Sequence, residues 1–215
     1  MPSQAFKHFR VNMIDVYRLI ESHNEISPNH RGKRALGHLT RSGVVMLCAC
    51  WELYNESLII ESARYLANKL DSPFNLPIDV QKHLAKHVKE ARHDLKPLEM
   101  SGLRWRSVYD AACCNEVKAL NTPKAAKLEI LFKNYLGFSD VVSKWPNGKN
   151  DIDDFVTLRG NIAHNGRFTD YVTITELNTY CQLIYQTCLA IDSEMCTFLH
   201  TTVGSTVQPW RKAPK

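Results

Sequence analysis

A chain of 215 residues, 44% hydrophobic and 23% charged, is long enough to bury one core without disulfides or a structural metal. Its net charge of +5 suits an anionic partner such as RNA but is too modest to require one. Seven cysteines, an odd number with no C-x-x-C pair, argue against a disulfide framework or a Cys-rich zinc site, and for reduced, mostly buried thiols in a cytosolic protein.

The opening "MPSQAFKHFRVNM" lacks the apolar core of a signal peptide. In the first segment Phe6, Phe9, Val11, Met13, Val16, Tyr17 and Ile20 recur at three- and four-residue steps, which predicts a helix ending near Ile26. "SPNHRGKR" follows as a basic loop. From about Ala35 to Leu70 a strongly apolar pattern predicts one long central helix, with a candidate break at Ser42-Gly43. No uninterrupted apolar run approaches the ~20 residues of a membrane span, so a cytoplasmic protein without membrane contact is expected. "DSPFNLP" ends the long helix with two prolines, and a more polar helix covers residues 78–95.

Two further helices are predicted over 103–119 and 124–136, separated by the turn "NTPK". "LGFSDVVSKWPNGKN" reads as a loop or short helix with a turn at Pro146-Asn147-Gly148. Asp151 to Ala163 forms the next helix, capped by Asn150 or Asp151 and stopped by Asn165-Gly166. After a short extended piece, "DYVTI", Thr175 caps a final helix reaching about His200. No segment alternates as a strand would. The chain therefore reads as all-α: one helical domain over residues 1–205, a bundle with a polar helical insertion at 71–122, and a basic flexible tail at 206–215.

One stretch, "VTLRGNIAHNGR", carries chemistry. Arg159 and His164 stand five positions apart at the end of an apolar helix. Spacing alone is cheap, because Arg18–His23 and Arg31–His38 satisfy it within a residue or two. Only Arg159–His164 runs straight into an Asn-Gly turn. Five residues at about 100° each put the two Cα positions about 140° apart around the axis. The pair shares no face, but a long arginine and a histidine where the helix unwinds can reach one side of its end. The negative end of the dipole favours a protonated imidazole there, while the neighbouring arginine opposes it.

"FVTLRGNIAHNGR", together with the upstream "VMLCACWELYNESLIIESA", resembles the HEPN superfamily, and within it the RiboL-PSP-HEPN and MAE-type branch. Three features carry the likeness: a long central helix with Trp51-Glu52-Leu53-Tyr54, the Arg159–His164 helix end, and a final apolar helix. They lie within about residues 35–70 and 125–200, and residues 71–122 have no counterpart in that pattern. The resemblance implies a metal-independent, cofactor-free endoribonuclease, often a toxin or defence effector, acting as a homodimer and in some systems with an antitoxin or defence partner protein. Carried over, His164 moves protons and Arg159 stabilises charge on the phosphoryl oxygens. Such enzymes place a polar residue directly after the arginine. Here that place holds Gly160, and Asn161 supplies a polar group one position later. Asn165 supports the helix end.

Each residue also has a plainer reading. Arg159 and His164 can be a solvated arginine and a dipole-matched histidine. Glu52, one turn from Glu56, either orients the pair or forms a salt bridge to a neighbouring helix. His83 and His87 sit at the i, i+4 spacing of a zinc helix but lack a clear third ligand. Arg31, Lys33 and Arg34 in the basic loop, Arg104 and Arg106 flanking Trp105, and Arg167 past the turn are candidate RNA contacts, or else solvated cations around a core tryptophan. If the chain catalyses nothing, a helical module binding a protein partner or RNA is the alternative.

Overall fold

A computed structural model describes residues 1–26, 36–169 and 171–213. Among these, seven α-helices and no strand form the fold: α1 (Gln4–Ile26), α2 (Gly37–Lys69), α3 (Ile78–Lys89), α4 (Trp105–Val117), α5 (Ala125–Leu136), α6 (Lys149–Asn165) and α7 (Ile174–Val203). The all-α expectation holds.

The bundle is organised around α2, which packs against α1, α4, α5, α6 and α7. Its buried residues run from Cys50 and Tyr54 on one flank through Leu58 and Trp51 to Ile59 and Ala63 on the other, more than half of the circumference, as a helix packed on several sides requires. By length and composition α2 also passes for a membrane span, contrary to expectation, yet 56% of that apolar window is buried inside the protein. Nor does α2 break at Ser42-Gly43. A Cβ on Gly43 would come within 2.5 Å of Leu177 Cδ2, so the glycine there admits α7 rather than a kink. Buried aromatics attach their polar ends to backbone carbonyls: Trp51 Nε1 donates to Pro123 O (2.9 Å) and Tyr54 OH to Cys188 O (2.8 Å).

Helix ends differ from the sequence reading where a closer partner takes over. The polar helix after the prolines stops at Lys89 instead of continuing to 95, and a 3-10 turn occupies Lys96–Met100. The N-cap of α6 is Gly148, with φ +74°, rather than Asn150 or Asp151. The N-cap of α7 is Thr173, not Thr175, because Thr173 and Glu176 form a reciprocal capping box. Within 71–122, α4 buries Trp105, Val108, Tyr109 and Ala112 in the common core. Residues 206–213 do not hang free: Trp210 Nε1 donates to Asp192 O (3.2 Å) and the Arg211 amide to Met1 O (3.0 Å).

Candidate functional site

Helix α6 packs on α2, α5 and α7 and buries Ile152, Phe155 and Val156, with the Phe155 ring against Tyr180 of α7. The next position on that stripe, one turn beyond Phe155, is Arg159. The arginine thus falls where a core residue would otherwise stand, and its side chain turns toward α2 with 26% of its surface exposed. There Cys48 and Glu52 lie one turn apart on α2. Arg159 Nε donates to Cys48 Sγ (3.4 Å), and Nη2 donates to Glu52 Oε2 (3.3 Å) and to Asn121 O (3.3 Å) in the α4–α5 loop.

These bonds use three of the five guanidinium donors. Nη1 makes no hydrogen bond among the described residues and is not a buried atom. Burial pushes the Cys48 thiol up from its usual 9.0, against the pull of Arg159, so near neutrality Cys48 is a weak, uncharged acceptor. The anion that holds the guanidinium is therefore Glu52, whose carboxyl burial raises, against the opposing pull of Arg159 and Lys127. Glu56, one turn on, is likewise raised by burial and by Glu52 beside it. The two readings of Glu52 thus merge: it forms a salt bridge to a neighbouring helix, and its partner is Arg159.

His164 lies in the last turn of α6 and is exposed, as are Asn161 and Asn165. No hydrogen bond joins any of the three side chains to Arg159. The helix stops at Gly166, whose φ of +55° and ψ of −122° suit glycine, and the Gly166 amide closes on Ile162 O. The Thr169 hydroxyl donates to Asn161 O (3.1 Å) and ties the following turn back to the helix. At Gly160 a Cβ would meet nothing within 4 Å, so packing leaves the backbone beside Arg159 open.

Of the candidate RNA contacts, Arg31, Lys33 and Arg34 lie outside the described residues. Arg104 is exposed. Arg106 donates to Leu70 O (3.1 Å) and lies over the Trp105 ring, but Trp105 has no exposed surface and offers no face to a base. An aromatic that does is Phe168, 91% exposed, directly after the exposed Arg167 and four residues from His164. Sequence reading passed over it because an exposed phenylalanine looks like any other apolar residue. Cys48 and Asn121 were also missed, since only the folded chain brings them to Arg159. Among the described residues His83 joins no group of metal ligands. Its ring packs edge-on against Tyr135, with Nε2 3.1 Å from the phenol oxygen and 3.4 Å from Glu116 Oε2, while His87 is exposed.

The pattern defining the RiboL-PSP-HEPN family matches residues 12–197, a span that holds Glu52, Arg159 and His164 and runs through 71–122. No curated protein and no solved structure matches the chain.

Proposed function

The chain belongs to the RiboL-PSP-HEPN family, and from that premise we propose that it is a metal-independent endoribonuclease centred on Arg159 and His164. The observation that carries this reading is the state of Arg159. Glu52, Cys48 and Asn121 fix one edge of its guanidinium and leave the Nη1 edge free. A cation held in place without being fully satisfied is what a developing phosphoryl charge needs, because no reorganisation is then required at the moment of reaction.

In the proposed reaction the 2′-hydroxyl of RNA attacks the adjacent phosphorus. A P–O2′ bond forms and the P–O5′ bond breaks, leaving a 2′,3′-cyclic phosphate and a 5′-hydroxyl. The proton leaving O2′ passes to an imidazole, and the departing O5′ takes one up. Attack and departure occur on opposite sides of the phosphorus, so one imidazole serves one side. Two protomers would supply two copies of His164, and the proposal includes a homodimer. Arg167 and Phe168 would hold a flanking phosphate and stack a base. A toxin or defence role is the expected setting.

Purified protein in excess chelator, incubated with labelled RNA, tests the reading. Cleavage to cyclic-phosphate ends is expected, falling at least about a hundredfold in His164→Ala and in Arg159→Ala. The observed bonds of Arg159 favour a second reading, a non-catalytic helical module in which Arg159 only joins α6 to α2. Its signature is RNA or partner binding without cleavage, with Arg159→Ala unfolding more easily and His164→Ala behaving as wild type.

A further inference from the structure

Far from Arg159 in sequence, α3 and the turns around it leave a groove of about 720 Å³. Its apolar lining includes Phe74, Ile78, Ala85, Val88, Pro97 and Met100. Phe74 is 83% exposed and Ile78 59%, and nearby Leu95, Leu98 and Leu103 are each about 60% exposed or more. Phe74 and Ile78, both in the groove's lining, leave large apolar surface open to solvent, the feature that marks an interaction surface.

The groove's edge is already built. The Ser72 hydroxyl accepts from the Phe74 amide (3.3 Å), and the Gln81 side-chain amide donates to Phe74 O (2.8 Å) and Leu76 O (2.7 Å). These bonds fix the Pro73–Pro77 segment against α3, so an incoming partner would not have to order it.

Charge then says what fits. Two charged residues line the groove, Lys82 and Lys89, and neither has an ion pair among the described residues. They stand seven positions apart on α3, which places them about 10 Å apart along the axis and within about 20° of one line. Carboxylates on one face of a second helix, also seven positions apart, would match that spacing.

We propose that this groove docks an acidic amphipathic helix of a partner protein, its apolar face on Phe74, Ile78 and Val88 and its carboxylates on Lys82 and Lys89. The inference is independent of the nuclease reading, because none of these residues touches Arg159 or His164. The test selects binders to the full-length protein from a display library of random amphipathic helices, with no counter-selection, and then measures each winner on wild type and on the Lys82→Glu/Lys89→Glu double variant. Both lysines are exposed, so the variant folds as wild type. The expected winners carry Asp or Glu pairs seven positions apart beside an apolar stripe. They lose at least about tenfold in affinity on the double variant and on Phe74→Ser, and weaken with added salt. Winners without an acidic excess, or with affinity indifferent to both variants, overturn the proposal. So does a self-association of wild type that Phe74→Ser abolishes, which would make a second copy the occupant.

Discussion

Glu52 and Arg159 meet because each sits where its helix would otherwise bury an apolar residue, and the two positions face each other across the α2–α6 contact. Both side chains are about three-quarters buried, with 24% and 26% of their surfaces exposed, so their attraction is less screened than that of a surface pair. Glu52→Gln keeps the shape and removes the charge. If Glu52 positions Arg159 for chemistry, kcat for RNA cleavage falls about tenfold, about 1.4 kcal/mol of barrier, with KM nearly unchanged and little change in melting temperature. If the pair serves only to join helices, Glu52→Gln and Glu52→Ala lower the melting temperature in step with any loss of activity. Much of this was legible in outline: the Arg-His spacing, the Asn-Gly stop and an acid inside an apolar helix are all local. From the sequence Arg159 reads as a solvated arginine or one reaching past the helix end; its inward turn follows only once positions 152, 155 and 159 are seen to share a buried stripe. Cys48 and Asn121 were not legible, because no local pattern says which helix faces α6.

At the scale of elements, the chain writes its helices more clearly than the ends of those helices. Apolar repeats give the existence of α1, α2, α6 and α7, because burial of a stripe is a long signal. Ends depend on single hydrogen bonds. The Thr-x-x-Glu spacing of Thr173 and Glu176 is a readable capping box that a rival threonine two residues later obscured. The end of α5 shows how sharp such a constraint can be. Gly137 terminates it at φ +76°, and a Cβ there would lie 2.3 Å from Pro77 Cβ. Gly137→Ala therefore meets both a left-handed backbone and an overlap with a ring that cannot swing away. The expected loss is at least about 2 kcal/mol of unfolding free energy, measured by urea titration. A loss under about 0.5 kcal/mol would show that the loop shifts freely. The twelve residues of α5, about 18 Å of helix, stand between Gly137 and the α4–α5 loop that holds Asn121, so activity well below the melting temperature should not change.

At the scale of the whole molecule, residues 1–6 and Trp210 come together at α7, and a buried carboxylate sits where they meet. Asp192, in the middle of α7, has no exposed surface. Its Oδ1 accepts from the Ser3 hydroxyl, Ser3 Oγ in turn accepts from the Phe6 amide (3.0 Å), and Oδ2 is buried with no close hydrogen bond among the described residues. From the sequence "CLAIDSEMC" Asp192 looks like one more solvated helix residue. Ser3 and Trp210, which lie against it, are remote in the chain, so no window of sequence could have shown its burial. Burial is the main cause that pushes its carboxyl from 3.8 to about 6, against the lowering pull of Ser3. Between those values the folded protein holds a proton that the unfolded chain has released. By linkage the unfolding free energy therefore falls as pH rises through that window: the contribution is fully present below 3.8 and lost above about 6. The shift corresponds to roughly 3 kcal/mol. Glu52 and Glu56, also raised by burial, act with the same sign, so wild type alone cannot isolate Asp192. Asp192→Asn can. Relative to wild type it should gain up to about 3 kcal/mol at pH 7 and nothing comparable at pH 4, as read by urea unfolding at the two pH values. An equal change at both would mean that the charge on Asp192 is matched in the folded state, and that the seam between residues 1–6 and Trp210 is held by packing and the Trp210 bond alone.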